Sequence, residues 1–334
     1  MDIGIIGVNY KSADLTYREN LVKNLEKIQF SKFWHPFSKV IVNTCNRLEV
    51  YFHSPELTEA HSHLLHDFTR EFNQKSHYKL YSYFGKDCFE HLAKVTAGLD
   101  SAIFAETEIQ GQVKNAYIKA HQSGLCSKEL HFLFQKSLKI GKDMRSLISN
   151  EKKSHGLVQT ILGLNKNLKK FYKKPKILFI GASKINLQII KCLSKIDYEI
   201  YLANRTFEKT LQYSKELLVK PFLWQEIENW DQFDGVVLAT KCHEYLINKN
   251  QKEIKSEKLI IDLSVPRNAC PQMNLDPYIK LLNIDQVSKM VKKNQKVQNQ
   301  KTLEVEKLIQ KAVIKQKQIF DLKRNPYKFE QSAY

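Results

Sequence analysis

The N-terminal part of the chain alternates short apolar runs with one amphipathic stretch. Residues 2–10, 40–43 and 48–52 are apolar and rich in β-branched side chains, which predicts three strands. Thr16 and Glu19 have the spacing of a capping box, which predicts that a helix opens there. We therefore expect a compact α+β unit at the start of the chain.

The pattern turns helical from about residue 56 to residue 150. Apolar residues recur there every three or four positions on one face, as at Ile109, Val113, Tyr117 and Ala120. This stretch is predicted to be mostly helix and to complete the first domain.

A basic, proline-containing segment at residues 173–176 precedes four strand-like runs. Helical stretches separate these runs, which is typical of a parallel nucleotide-binding sheet. A Rossmann-type domain is therefore predicted, with its boundary near residues 155–175. The four runs are 177–182, 198–203, 235–240 and 258–264.

Residues 286–322 contain neither Gly nor Pro and repeat apolar residues at helical spacing among many Lys and Gln. The pattern predicts one long amphipathic helix, and its apolar stripe needs a partner. We expect that stripe to pair two copies of the chain as a homodimer. The predicted architecture is multidomain, α+β and then α/β: a catalytic domain (1–155), a Rossmann-type domain (156–285) and a short helical dimerisation segment (286–334).

Composition narrows the class of protein. A formal net charge of +18 would attract a polyanion such as nucleic acid, although a lysine-rich surface without a function gives the same balance. The N-terminus does not resemble a signal peptide and no apolar run is long enough to span a membrane, so we expect a cytoplasmic protein without a membrane partner. The six cysteines form no CxxC pair, which argues against a disulfide framework and against a bound metal.

Cys45 follows a predicted strand and lies among the polar residues Thr44, Asn46 and Arg47. The thiolate is the nucleophilic form of cysteine, and a neighbouring cation such as Arg47 lowers the pKa of a thiol. A single cysteine is more often a small buried apolar residue, but its polar neighbours argue against that interpretation. Cys45 is therefore the candidate nucleophile.

Several segments resemble the glutamyl-tRNA reductase family, and they occur in the expected order. The resemblance implies an NADPH-dependent enzyme of tetrapyrrole synthesis. Such an enzyme takes glutamate from its tRNA as a cysteine thioester and reduces it to glutamate-1-semialdehyde. The matching segments are 4–13 with Arg18 and Glu19, 42–51, 91–101, 106–117, 204–206 and 262–268.

By that resemblance Cys45 is the nucleophile and His91 is a second catalytic residue, whose imidazole suits proton transfer. Without the family match, His91 would be interpreted as an ordinary helix-surface residue. Thr107 and Glu108 differ from the commonest family residues at their positions. The residues implied to hold the glutamyl group are Thr44, Cys45, Asn46, Arg47, Ser101, Glu106, Thr107, Glu108 and Gln112.

The chemistry of these side chains suits the implied substrate. The planar guanidinium of Arg47 can bind the glutamyl carboxylate in a bidentate manner and reject an uncharged glutaminyl group. Glu108 and Gln112 are four residues apart and share a helical face, where they can engage the substrate's α-amino group or each other. Simple solvation of that face stays open as the alternative.

The predicted cofactor loop keeps only the first glycine of the G-x-G-x-x-G pattern, because Ser183 and Asn186 replace the other two. A pyrophosphate is still expected at the N-terminus of the next helix, with weaker binding because side chains replace glycines. Arg205 follows the second strand where an NAD site has an acid, which favours NADPH. The predicted cofactor contacts are Gly181, Ala182, Ser183, Lys184, Ile185, Asn186, Asn204, Arg205 and Thr206.

The expected partners are tRNA(Glu) charged with glutamate, a second copy of the chain and, transiently, glutamate-1-semialdehyde aminomutase. Two alternatives stay open. One is an NADP-dependent dehydrogenase of a small soluble substrate, in which Cys45 is inert. The other is a non-enzymatic tRNA-binding protein whose altered loop does not accept the cofactor.

Overall fold

A computed structural model describes residues 1–29, 37–70, 79–101, 108–149, 156–249, 253–294 and 299–324. The chain divides into two compact units, one of residues 1–154 with 296–334 and one of residues 155–295. The prediction that residues 286–334 form a segment of their own is therefore corrected, because they are shared between the two units.

The first unit contains a four-stranded antiparallel sheet with the strand order β2-β3-β1-β4. The edge strand β4 lies inside the stretch that was predicted to be helical, because four residues are too few to show a period. The strands are β1 Ile3–Asn9, β2 Ser38–Asn43, β3 Arg47–His53 and β4 Tyr81–Phe84. The helices are α1 Leu15–Gln29, α2 Leu57–Arg70, α3 Gly85–Ala97, α4 Glu108–Gln122, α5 Lys128–Ser149 and α10 Asn299–Arg324.

Side chains alternate between the two faces of β3. Leu48 and Val50 pack in a core with residues of α1 and α2. Tyr51 packs on the opposite face in a core with α3, α4 and α5. Arg47 and Glu49 share the register of Tyr51, so the strand carries two charged residues into the helix-covered side of the sheet.

The first helix begins one residue before the predicted capping box. Asp14 is the cap, since its Oδ1 accepts a hydrogen bond from the N–H of Tyr17 at 2.9 Å. Thr16 lies inside the first turn of α1, so the capping-box prediction was wrong in its position.

The second unit contains a six-stranded parallel sheet with the strand order β10-β9-β8-β5-β6-β7. This is the doubly wound order in which ligands bind beyond the carboxyl ends of β5 and β8, and it confirms the Rossmann-type prediction. β7 and β10 were not predicted. The strands are β5 Lys176–Ile180, β6 Glu199–Ala203, β7 Lys220–Phe222, β8 Gly235–Leu238, β9 Lys258–Asp262 and β10 Ile279–Asn283. The α-helices are α6 Gly156–Lys166, α7 Lys184–Leu193, α8 Phe207–Leu217 and α9 Ile284–Asn294, and 3₁₀ turns cover 167–170, 224–232 and 271–275.

The C-terminal amphipathic region contains two helices, α9 and α10, which belong to different units. Val305, Ile309 and Val313 of α10 are buried in the core that α3 and α5 share. These residues of the stripe that was expected to pair two copies of the chain are thus covered within one chain, whereas Leu308 is 41% exposed. None of the described helices is both long and apolar enough to cross a membrane.

Candidate active site

Cys45 lies in a tight turn that joins β2 to β3. The Oγ1 of Thr44 accepts hydrogen bonds from the N–H groups of Asn46 and Arg47, both at 3.2 Å. The N–H of Thr44 donates to the carbonyl of Arg47 at 2.9 Å. The turn is therefore fixed by its own residues and carries Cys45 in a half-buried position.

Arg18 of α1 is the cation in contact with Cys45. Its Nη1 donates to the carbonyl oxygen of Cys45 at 3.0 Å, and the residue is buried. The sequence had suggested Arg47 for this place because it is close along the chain. Arg47 instead begins β3, and the alternation of that strand directs its side chain into the covered face of the sheet.

Arg47 is fully buried between two carboxylates. Its Nη1 donates to Oε1 of Glu49 at 2.6 Å, and both Nη atoms lie 3.2 Å from Oδ2 of Asp100. Its Nη2 also donates to the backbone carbonyl of Asp100. Burial alone would lower the pKa of this guanidinium, but the charge of Glu49 and of Asp100 raises it above its usual range. In this arrangement the guanidinium of Arg47 is occupied by Asp100.

Glu49 is the centre of the buried network. Its Oε1 also accepts from the hydroxyl of Tyr81 at 2.6 Å and lies 2.8 Å from Nε2 of His91. Its Oε2 accepts from the hydroxyl of Tyr51 at 2.8 Å. Burial raises the pKa of the carboxyl, but the charge of Arg47 and the hydrogen bond with His91 bring it well below its usual range. Because an ionised carboxylate only accepts, Nε2 of His91 carries a proton and Nδ1 is the nitrogen left for proton exchange.

Asp100 connects this network to the surface. Helix α3 ends at Ala97. Gly98 follows it with a left-handed φ of 78°, and the chain then turns so that Asp100 meets Arg47. Lys11 forms an ion pair with the other carboxylate oxygen of Asp100. The next residue, Ser101, is buried, and its carbonyl accepts from the hydroxyl of Tyr10 at 3.3 Å.

The structure assembles part of the predicted substrate set. Tyr10 links two of its members, since its N–H donates to the carbonyl of Asn46 at 2.9 Å while its hydroxyl contacts Ser101. Glu108 opens α4, and Gln112 is exposed one turn later on the same helix. Two members of the predicted substrate set, Glu106 and Thr107, lie outside the described part of the chain.

Glu49, Tyr81 and Asp100 were not predicted from the sequence to belong to the site. One signal was available, because Arg47 and Glu49 are charged residues two positions apart in an otherwise apolar strand. Two such residues face the same side of a sheet, and charged residues on a covered face are usually paired. The partners Tyr81 and Asp100 come from distant segments and carry no comparable signal.

The loop after β5 passes close to the end of β8. Gly181 has a φ of 95°, and a Cβ atom on it would lie 2.6 Å from the carbonyl oxygen of Ala239. A glycine is therefore required here. Ser183 caps α7, because its Oγ accepts from the N–H of Asn186 at 3.2 Å. Lys184 and Ile185 occupy the first turn of that helix, with Lys184 exposed.

The end of β6 carries the predicted Asn204, Arg205 and Thr206. Asn204 reaches back to the glycine loop, since its Oδ1 accepts from the N–H of Ala182 at 3.2 Å. Arg205 and Thr206 are exposed. The guanidinium of Arg205 lies 5.8 Å from the ring centre of Trp224. Arg205 thus places a cation at the position where a site for NAD, whose ribose has no 2′-phosphate, would have an acidic residue.

Both units match known families. Residues 6–148 match the family model described as the N-terminal domain of glutamyl-tRNAGlu reductase, and residues 164–290 match that of shikimate / quinate 5-dehydrogenase. The glutamyl-tRNA reductase of Chlamydia abortus is 32% identical over 97% of this chain and 94% of its own length. The chain belongs to the glutamyl-tRNA reductase family. Membership confirms the family assigned from the sequence, and with it the oxidoreductase class.

A second relative matches the chain over the same length. The glutamyl-tRNA reductase of Chlamydia caviae is 33% identical over the same shares of the two chains, 97% and 94%. Among solved structures, the glutamyl-tRNA reductase from Methanopyrus kandleri is 21% identical, covers 96% of this chain and 80% of its own, and has a TM-score of 0.49.

Proposed function

We propose that this member of the glutamyl-tRNA reductase family reduces the glutamate of glutamyl-tRNA to glutamate-1-semialdehyde through a thioester on Cys45. The observation that carries the proposal is the position of Cys45. It lies in a rigid turn inside the region matched by the reductase's N-terminal domain, beside the buried cation Arg18. We infer that the enzyme acts in the cytoplasm, where its charged tRNA is found.

The first step forms a bond between Sγ of Cys45 and the carbonyl carbon of the ester. The bond between that carbon and the ribose oxygen breaks, and tRNA leaves with a proton on this oxygen. Arg18 holds this turn through the backbone carbonyl oxygen of Cys45. The rigid turn of Thr44 and Asn46 keeps the thiol in place during the attack.

We propose that Nδ1 of His91 takes the proton of the Cys45 thiol during the attack and then gives it to the departing ribose oxygen. Its ring is held through Nε2 by Glu49, which is itself fixed by Arg47, Tyr51 and Tyr81. Glu49 therefore acts as a positioning residue, because it selects which nitrogen of the imidazole exchanges protons.

The second unit is the proposed NADPH site. When bound, NADPH supplies a hydride to the thioester carbonyl, and Cys45 leaves as a thiolate when the C–S bond breaks. The exposed Arg205 suits a 2′-phosphate, and the first turn of α7 suits a pyrophosphate. The residues present thus fit a phosphorylated dinucleotide.

Arg205→Ala is expected to erase most of the preference for NADPH over NADH. The lost contact is one charged hydrogen-bonding group, so the ratio of the two kcat/KM values should fall about 10-fold or more. The measurement is steady-state kinetics with both cofactors in wild type and variant. Equal use of NADH and NADPH by the wild type would contradict this role of Arg205 and leave the Cys45 chemistry untouched.

Arg47→Lys is expected to lower kcat/KM for glutamyl-tRNA about 30-fold or more, equivalent to about 2 kcal/mol, despite the retained charge, because the bidentate guanidinium is lost. Asp100 occupies that guanidinium, so a contact of Arg47 with the glutamyl carboxylate requires Asp100 to move. Thermal unfolding of the variant separates recognition from packing. Unchanged kinetics would assign Arg47 to structure alone.

The proposed partner is tRNA(Glu), which the net charge of +18 would attract. A homodimer and a transient contact with an aminomutase stay predictions. For the dimer, Val305, Ile309 and Val313 of α10 are already covered by α3 and α5, and the exposed apolar residues Leu303, Leu308 and Ile314 are the part of the helix left for a second copy.

Product analysis with glutamyl-tRNA tests the function. With NADPH we expect glutamate-1-semialdehyde and released tRNA, and without NADPH we expect slow release of free glutamate, since water alone can then cleave the thioester. NADPH-dependent turnover of a free acid or aldehyde without tRNA would instead favour a small-substrate dehydrogenase. Binding of tRNA without NADPH consumption would favour a non-enzymatic tRNA-binding protein.

A further inference from the structure

Asn186 has an unusual setting for an amide side chain near the start of a helix. It belongs to the first turn of α7 and is fully buried. Its Nδ2 donates to the carbonyl of Ile180 at 3.1 Å and to the carbonyl of Gly181 at 2.8 Å. The side chain therefore points into the unit and joins the helix to the last residue of β5.

In dinucleotide-binding loops the third glycine stands at this position and lets the helix pack closely on the strand. Here a side chain fills that space and adds two hydrogen bonds. Asn186 cannot obstruct a pyrophosphate outside the loop, since none of its side chain is exposed. The expectation that both replaced glycines weaken cofactor binding is therefore revised for Asn186.

The two hydrogen bonds also decide which backbone groups the loop presents. The carbonyls of Ile180 and Gly181 both accept from Asn186; that of Ile180 also accepts from the N–H of Ala239 at 3.0 Å, so the bond to Gly181 is the one by which Asn186 fixes the loop. The N–H of Asn186 is taken by Ser183, and the N–H of Ala182 by Asn204. The N–H groups of Ser183, Lys184 and Ile185 lie at a helix start, where no intrahelical acceptor exists. Such N–H groups at a helix start are suited to binding an anion.

We propose that Asn186 is a positioning residue of the dinucleotide loop, which replaces the missing glycine by holding the loop carbonyls inward and the N–H groups of residues 183–185 outward for a diphosphate. The inference rests on the proposed use of NADPH. It predicts that restoring the glycine weakens binding, the opposite of what the glycine pattern alone predicts.

The test is a titration of the full chain with NADPH, followed by fluorescence or calorimetry, in wild type, Asn186→Gly and Asn186→Ala. Loss of one or two neutral hydrogen bonds should raise Kd about 10-fold or more in both variants. Gln188→Ala is the matched control, because Gln188 is an exposed amide on the same helix two residues later. Its Kd should equal that of the wild type.

Asn186→Gly that binds NADPH as tightly as the wild type, or more tightly, would overturn the inference. A wild type that does not bind NADPH would instead overturn the proposed cofactor site, so the two failures are distinguishable. Hydrogen exchange in the wild type is the second measurement if the variants do not fold. NADPH should slow exchange of the amides of residues 183–185, and unchanged exchange while NADPH binds would contradict the inference.

Discussion

Cys45→Ser is expected to lose both the release of glutamate without NADPH and the formation of semialdehyde with it. Both reactions begin with attack by the same sulfur, and a serine hydroxyl is far less ionised than a thiol at neutral pH. Removal of a nucleophile should lower both rates by at least about 1,000-fold. The measurement is single-turnover reaction of glutamyl-tRNA with excess enzyme, with and without NADPH.

Cys126→Ser is the matched control for this experiment. Cys126 is a half-buried cysteine of the same unit, and burial raises the pKa of its thiol to about 11, so it is not ionised at neutral pH. Its replacement should leave both rates unchanged. A Cys45→Ser variant that keeps either activity near the wild-type rate would show that Cys45 is not the nucleophile.

Ile309→Ala is expected to destabilise the first unit by about 2–5 kcal/mol, the usual range for removing a buried isoleucine side chain. Ile309 lies in the middle of the stripe of α10 that packs on α3 and α5, and it is fully buried. Helix α3 carries His91, so reductase activity should be lost over the same range of denaturant concentration as the fold. The measurement is denaturant unfolding followed by circular dichroism.

Leu308→Ala is the control, because Leu308 is the adjacent residue and is 41% exposed. Its effect should stay within about 0.5 kcal/mol, as for most surface changes. Equal effects of the two substitutions would mean that α10 packs elsewhere.

The sequence predicted those features of the fold that depend on local pattern. The βαβ alternation was sufficient for the parallel sheet, and the run around Cys45 was sufficient for a turn between two strands. The partner of α10 could not be predicted, because an amphipathic stripe shows that a helix needs cover and not which surface provides it. The short strand β4 was missed for lack of a measurable period.

The candidate site could likewise be predicted only where it depends on local sequence motifs. Motif resemblance selected Cys45, Arg47 and His91, but it did not show that Glu49 joins the last two. Their contact depends on the approach of α3 to the sheet, which is a long-range feature. The role of Asn186 could not be predicted either. The motif shows that a glycine is replaced at this position, but it does not show that the new side chain points into the unit.

The central claim is that glutamate is carried on Cys45, and mass analysis of the enzyme tests it most directly. The protein would be mixed with glutamyl-tRNA in the absence of NADPH, quenched in acid and digested. The account predicts a mass increase of one glutamyl group on the peptide that contains Cys45, and loss of that adduct when NADPH is added before the quench. Free glutamate or semialdehyde formed without any acylated Cys45, or an adduct on another residue, would contradict it.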